Sequence, residues 1–310
     1  MSTSAQKLSG VVPPLVTPLT PEYDIDTASL ARLVEHQLAG GVSGVFVLGT
    51  SGEGTFLTDE QRQTVLETVV TEVAGQVPVL AGAIDTSTAR AGAHISAALK
   101  AGVDAIVATA PFYAATHPLE IERHFTRLAS VAGDTPLYAY DIPSRIAGTK
   151  LPAELMIKLG SQGILAGVKD SSGQDTSLRR LVLARADADL PGFAIMTGSE
   201  LTVDCALGFG VDGVVPGLGN VDPAGYVRLF TAATPDLARD EQNRLFRLFE
   251  IVEAPDKTRM GPSSAALGAF KAALYVLGVL ASPLTAYPSI PLNEHEIAQI
   301  AGLLERAGLR

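Results

Sequence analysis

The stretch Gly210-Val211-Asp212-Gly213-Val214 repeats a pattern met twice earlier in the chain, as Gly41-Val42-Ser43-Gly44-Val45 and as Gly102-Val103-Asp104-Ala105-Ile106. In each copy a helical run ends on glycine and a short apolar run begins at once. Glycine can adopt the left-handed conformation that closes a helix, and the apolar residues that follow suit a strand covered on both faces. The repeating unit is helix then strand, which predicts a parallel sheet.

Reading outward from these copies, short apolar runs predict eight strands, at 10–16, 44–48, 79–84, 105–108, 137–142, 165–169, 194–197 and 213–215. Amphipathic stretches lie between them. In residues 29–39 the side chains of Leu30, Leu33, Val34 and Leu38 share a face, and residues 59–73 open with Thr58-Asp59-Glu60-Gln61, a capping-box pattern. Eight alternations with no break in composition predict a TIM (β/α)8 barrel over residues 1–230, with an open doubly wound sheet as the structural alternative. Helical patterns at 240–253, 265–280 and 294–307 then form an extension, residues 231–310, packed on the barrel. These extra helices are a natural oligomerisation surface.

Composition narrows the function. With 310 residues, 47% of them hydrophobic and 18% charged, the chain has ample material for one barrel, and general disorder is excluded. The formal net charge of -10 repels a polyanion, so no nucleic-acid partner is expected. Cys205 is the only cysteine and cannot form an internal disulfide, which suits a reducing cytoplasm. Residues 1–10 are small and polar, without the apolar core of a secretory leader. The most membrane-like stretch, 265–281, is short for a span and contains Lys271, so a buried or oligomer-facing helix is expected rather than a membrane partner.

In a barrel of this kind the chemistry sits at the carboxyl ends of the strands. The sixth predicted strand, Ile164-Leu165-Ala166-Gly167-Val168-Lys169-Asp170, ends an apolar run with a lysine. Alternation puts Lys169 on the face of Gly167, with Val168 and Asp170 on the other. An amine among apolar side chains is costly to keep protonated, and the free lone pair attacks carbonyls. Position alone leaves two readings, an imine-forming lysine and one that snorkels out of the strand end. Lys271 is the rival amine, and its helical setting favours snorkelling.

The fifth strand, Leu137-Tyr138-Ala139-Tyr140-Asp141-Ile142, puts two phenols on one face, with Tyr140 nearer the catalytic end and Tyr138 read as core. Tyr140 could carry protons to and from an imine's substituents. The second strand runs into Leu48-Gly49-Thr50-Ser51-Gly52-Glu53-Gly54, whose amides and hydroxyls could hold a carboxylate. The same loop departs from a nucleophile elbow because Glu53 replaces its final glycine. The five histidines show no zinc-ligand spacing, and Glu120 with His124, one helical turn apart, reads as a solvated face. Gly217-Leu218-Gly219-Asn220 lacks the third glycine of a dinucleotide fingerprint, though it follows the eighth strand, where many barrels bind phosphate.

With these residues quoted, nearly the whole chain resembles the family of dihydrodipicolinate synthase and N-acetylneuraminate lyase. The likeness runs from Pro13-Pro14-Leu15-Val16-Thr17-Pro18 through the Gly49-Thr50-Ser51-Gly52-Glu53 loop, Tyr140 followed by Ile142-Pro143, and Gly167-Val168-Lys169-Asp170. The resemblance implies a Schiff-base-forming lyase or aldolase in which Lys169 forms an imine with pyruvate or a related 2-oxo acid and Tyr140 shuttles protons. Thr50 would link Tyr140 to Tyr113, supplied by a neighbouring subunit of a homo-oligomer, a dimer or tetramer. Ser51 and nearby amides would hold the pyruvate carboxylate, with Gly49, Arg145, Gly198 and Val211 as the remaining substrate-binding positions. No metal or organic cofactor is implied.

The second substrate, an aldehyde, is left open. Arg145 matches the arginine with which the synthases hold the aldehyde's carboxylate, which favours a 4-hydroxy-tetrahydrodipicolinate synthase. Arg145-Ile146-Ala147-Gly148 carries one residue more before glycine than the usual synthase spacing, Asp141 stands where asparagine is common, and Lys169-Asp170-Ser171-Ser172-Gly173 resembles aldolases of 2-keto-3-deoxy sugar acids and of 4-hydroxy-2-oxoglutarate. A non-catalytic pyruvate-binding barrel and a phosphate-sugar isomerase are readings of other classes. The isomerase would need a carboxylate base at a strand end, and the sequence places neither Glu53 nor Glu200 convincingly there.

Overall fold

A computed structural model describes residues 7–310; residues 1–6, part of the stretch read as lacking a secretory leader, lie outside the described residues. The strands are β1 (Gly10–Val11), β2 (Val45–Val47), β3 (Val79–Gly82), β4 (Ala105–Thr109), β5 (Leu137–Asp141), β6 (Gly167–Asp170), β7 (Ala194–Thr197) and β8 (Gly213–Val214). They alternate with α1 (Thr27–Ala39), α2 (Asp59–Val73), α3 (Thr88–Ala101), α4 (Pro118–Ala132), α5 (Ala153–Ser161), α6 (Asp175–Asp187), α7 (Val203–Phe209) and α8 (Pro223–Phe230). The extension contains α9 (Pro235–Leu248), α10 (Pro262–Val276) and α11 (Glu294–Arg306).

All paired strands run parallel in the order β1-β8-β7-β6-β5-β4-β3-β2. Between β1 and β2 the Pro14–Phe46 bridge closes the ring: Leu15 N donates to Phe46 O at 2.8 Å and Phe46 N to Pro13 O at 3.0 Å. The fold is a TIM barrel. The first strand is shorter than its apolar run because Pro13 and Pro14 have no N–H to donate to a ladder. The repeat glycines behave as their pattern requires, with φ of 78° at Gly41, 88° at Gly102 and 98° at Gly210.

Strand alternation divides the apolar side chains into two cores. Val12, Phe46, Leu80, Val107, Tyr138, Tyr140 and Met196 fill the barrel, with Tyr138 in the core as its position predicts. Ala139, Val168 and Ile195, from the opposite strand faces, join Leu33, Leu66, Ile95 and Phe125 in the layer between sheet and helices.

Helix ends are set by caps more than by apolar period. Asp26 accepts Ser29 N at 2.9 Å, so α1 begins ahead of its first apolar residue. Thr234 caps α9 with Pro235 in its first turn, well before residue 240, and Pro262 likewise advances α10. The α2 limits match the periodicity, and Thr58 and Gln61 form the reciprocal capping box.

Two expectations are corrected. His124 is buried rather than solvated: Nδ1 lies 2.9 Å from Thr88 Oγ1 and Nε2 3.1 Å from Thr109 O. Burial pulls its pKa down to about 4 against the bond to Thr109, so the ring is neutral and caps a strand end. Lys271 does not snorkel, because α10 is buried along most of its length. Its ammonium is sealed inside, paired with Glu53. Among the described residues no helix is long and apolar enough to cross a membrane.

Candidate active site

At the carboxyl end of the barrel the chain encloses a cavity of about 200 Å³, lined by Thr50, Ser51, Tyr140, Ile142, Ser144, Arg145, Lys169, Ser171, Gly198, Glu200 and Val215, with Ser263, Ala266, Leu267 and Phe270 of α10. That is smaller than the roughly 300–1,000 Å³ typical of drug-sized sites, and it suits a ligand of few atoms.

Tyr140 and Lys169 are ladder partners on β5 and β6. The Lys169 ammonium lies 4.1 Å from the centroid of the Tyr140 ring and 5.0 Å from that of Phe46, and is only 6% exposed. From the loop after β2, Thr50 Oγ1 stands 3.3 Å from the Tyr140 hydroxyl. Burial pushes the Tyr140 phenol up. The Lys169 charge and the hydrogen bonds of Thr50, Lys169 and Ser171 outweigh it, so the phenol titrates below its ordinary value. An amine beside a phenol disposed to lose its proton can make and break an imine.

The Thr50 loop is tightly built. Gly54 N donates to Gly49 O at 3.2 Å, Thr17 Oγ1 to Gly52 O at 2.7 Å, and Arg62 to the carbonyls of Gly54 and Gly82 at 2.5 and 2.8 Å. At Gly49 a Cβ would overlap the Phe46 ring, and at Gly198 it would overlap the Ser171 hydroxyl, so a side chain at either position requires its neighbour to move.

Glu200 reaches the cavity from the loop after β7. Burial raises its carboxyl to about 7, against the bonds from the Leu218 and Gly217 amides and the Lys169 charge. Glu200 Oε2 accepts Leu218 N at 2.7 Å, and Asn220 bonds to Pro14 O and Gly217 O at 2.8 Å each, so the turn after β8 is filled from within. A phosphate would have to displace a protein carboxylate there.

The Arg145 guanidinium donates to Ser263 Oγ, and among the described residues no carboxylate pairs with it. Its loop is fastened behind the cavity, where Lys150 pairs with Asp141 and lies 3.5 Å from Asp170.

Of the residues singled out from the sequence, Lys169, Tyr140, Thr50, Ser51, Arg145 and Gly198 line one cavity, with Gly49 in the loop beneath. Tyr113 is 94% exposed, away from the cavity, with φ of 82°. Val211 is a correction. It precedes β8 at the amino end of the barrel, its N–H bonded to Ala206 O and its side chain in the outer core, and the valine at the cavity is Val215. Ser171, two residues beyond Lys169, was within reach of the alternation argument. The α10 wall was not, since nothing local ties Ser263 to β6.

The dihydrodipicolinate synthetase family model matches residues 7–307. An uncharacterized DapA-like lyase of Halobacterium salinarum is 35% identical over 302 residues, 97% of this chain and 95% of its own. A 4-hydroxy-tetrahydrodipicolinate synthase of Salinibacter ruber is 31% identical over 76% of this chain and 78% of its own. Among solved structures, YagE, a prophage protein of the dihydrodipicolinic acid synthase family from E. coli K12 in complex with pyruvate, superposes with a TM-score of 0.89 at 26% identity, covering 98% of this chain and 99% of its own. The dihydrodipicolinate synthase of Bacteroides thetaiotaomicron gives 0.88 at 30%, covering 96% and 98%.

Proposed function

Because this chain belongs to the dihydrodipicolinate synthetase family, whose members are pyruvate-dependent lyases working through a Schiff base, we propose that Lys169 forms the imine and that the second substrate is an aldehyde bearing a carboxylate. The observation that carries this reading is the Lys169 ammonium against the Tyr140 ring with Thr50 on its hydroxyl, at the floor of a small polar cavity.

The Lys169 amine adds to C2 of pyruvate, and loss of water leaves the imine. Tyr140 passes the protons, with Thr50 taking and returning them through its hydroxyl toward Tyr113 of a neighbouring subunit. Ser51 and the adjacent loop amides hold the pyruvate carboxylate. A proton leaves C3 to give the enamine, C3 attacks the aldehyde carbon, and the aldehyde oxygen takes up a proton. Hydrolysis then frees the product and Lys169. Arg145, with no carboxylate on it among the described residues, is the cation available to the aldehyde's carboxylate. These assignments favour a 4-hydroxy-tetrahydrodipicolinate synthase.

A second reading has an observation of its own. Ser144, Ser171, Ser263 and the Glu200 carboxyl line the same cavity and could bond to a hydroxylated chain, as in an aldolase of 2-keto-3-deoxy sugar acids or 4-hydroxy-2-oxoglutarate.

Borohydride reduction in the presence of pyruvate, followed by peptide mapping, should place a reduced adduct on Lys169. A panel of aspartate semialdehyde, glyoxylate and hydroxylated aldehydes would then separate the two substrate readings. An adduct on another lysine, or no adduct with any 2-oxo acid, would refute the imine assignment.

A further inference from the structure

Beneath the cavity two opposite charges are sealed away from water. Lys271 is 0% exposed and Glu53 1%, and they pair with each other. Each has one further partner: Lys271 Nζ donates to Leu284 O at 2.7 Å, and Glu53 Oε1 accepts Ala286 N at 2.6 Å. A fully buried ion pair is a poor source of stability, because desolvation consumes most of the attraction and apolar residues of similar volume often do as well. Its presence here calls for a different account.

The pair stands at one end of a short chain of contacts to the reacting groups. Glu53 adopts a left-handed conformation, with φ of 53°. Its N–H donates to Thr50 O at 3.2 Å, and Thr50 Oγ1 meets the Tyr140 hydroxyl at 3.3 Å. At the other end Lys271 belongs to α10, which also gives Ser263, Ala266, Leu267 and Phe270 to the cavity wall. One helix therefore lines the cavity and, through a single charge, holds the loop that carries Thr50.

We propose that Glu53 and Lys271 are positioning residues that lock the Thr50 loop to α10 and the 284–286 segment, and so set Thr50 against Tyr140 for proton transfer. This rests on the imine reading above for its catalytic consequence. Its structural content, the placement of the Thr50 hydroxyl, is independent of any substrate. A left-handed glutamate is strained unless its surroundings hold it, and the three contacts on its side chain and amide are what hold it. Without them the loop can relax, and Thr50 moves off the phenol.

The test uses the double variant Glu53→Gln with Lys271→Met, which removes both charges and leaves none buried alone, and Glu53→Gln by itself, which keeps shape and an acceptor for Ala286 N. The first readout is the titration of Tyr140 in substrate-free protein, followed by ultraviolet absorbance against a Tyr140→Phe reference. Losing the Thr50 bond should move the phenol up, leaving Lys169 and Ser171 as its partners. The second is steady-state kinetics, where kcat should fall about tenfold while KM for pyruvate changes little. The third is the same substitution in a Thr50→Ala background, where its effect on kcat should shrink below about twofold, because coupled residues are not additive.

An unmoved Tyr140 titration with unchanged kcat in the folded variants would overturn the proposal, and so would an equal loss of kcat in both backgrounds. If the double variant does not fold, Glu53→Gln carries the same three readouts. Absence of a borohydride-trapped adduct in the wild-type protein would count against the imine reading and leave the phenol titration still to decide the positioning role.

Discussion

The Lys169 ammonium lies 4.1 Å from the centroid of the Tyr140 ring, its ladder partner on the neighbouring strand. The two strands thus hold a cation and a phenol in register by main-chain hydrogen bonds, with no loop between them. Lys169→Met should therefore move the Tyr140 titration up, since burial would be opposed only by Thr50 and Ser171. A phenol whose folded pKa is depressed adds stability above its unfolded value and loses it as pH falls through the folded value. The stability of the wild-type protein should then rise with pH from the phenol's folded value toward its ordinary one. Ultraviolet titration of the variant checks the shift, and an unchanged phenol would remove Lys169 as the cause.

Behind the same strand ends Asp141 and Asp170 are also ladder partners, and both point away from the cavity toward Lys150. Burial raises the Asp141 carboxyl, the bond and charge of Lys150 hold it down, and Asp170 adds to the rise. Because the folded pKa exceeds the unfolded one, the cost of Asp141 to the fold appears as pH rises from about 3.8 through the folded value. Lys150→Met should enlarge that cost and extend it to higher pH. The loss expected is about 1–3 kcal/mol at neutral pH, modest because Lys150 is part-exposed, and smaller in acid. Urea unfolding across pH measures it; a deficit that does not shrink in acid would count against the carboxylate pair as its source.

The barrel was legible because its signals are local. A glycine that closes a helix and an apolar run that follows recur at Gly41, Gly102 and Gly210, and period two on β5 and β6 puts Tyr140 and Lys169 on the inner face. What was hidden depends on distance along the chain. The Lys271–Glu53 pair joins residues more than two hundred positions apart, the α10 wall meets Arg145 across more than a hundred, and a lysine in an apolar helix looks the same whether it snorkels or is sealed. Val211 was misplaced because a repeat unit identifies a strand without saying which end meets the ligand. Among the helices, boundaries failed where Thr234 and Pro262, caps and first-turn prolines, outweighed apolar period.

Glu200 gives the cavity a group that changes charge near neutrality. Its carboxyl is raised to about 7 from 4.5, chiefly by burial, so it is largely protonated below 7 and anionic above. Both substrates of the proposed reaction carry carboxylates, and an anionic Glu200 repels them. The dependence of kcat/KM on pH should thus include a descending limb near 7 that disappears in Glu200→Gln. A limb that survives the substitution would belong to another group.

Arg145 decides between the two substrate readings. A guanidinium on a carboxylate is charge-assisted and bidentate, and lysine replaces it poorly. Arg145→Ala should cost about 1.5–3 kcal/mol, a roughly tenfold to hundredfold fall in kcat/KM, with a carboxylate-bearing aldehyde. Trapping of pyruvate at Lys169 should be spared. Equal losses across aspartate semialdehyde, glyoxylate and neutral aldehydes would leave Arg145 with no part in reading the carboxylate.

Tyr113 tests whether a site is complete within one chain. It is 94% exposed and its φ of 82° is strained for a residue with a side chain, so the loop holds a phenol out into solvent rather than folding it over its own cavity. Thr50 meanwhile has the Tyr140 hydroxyl on one side and needs a second hydroxyl to pass a proton onward. If a neighbouring subunit supplies that hydroxyl, Tyr113→Phe should lower turnover sharply with the fold intact, and Tyr140→Phe should do the same. In a mixed oligomer of the two inactive variants, some sites receive an intact Tyr140 from one chain and an intact Tyr113 from the other. Activity should then reappear on mixing, provided subunits exchange, which a fluorescence-transfer signal between labelled chains would establish. Exchange without recovered activity, or full activity from a monomer in sedimentation and dilution assays, would place the relay within a single chain and leave Tyr113 without a role in it.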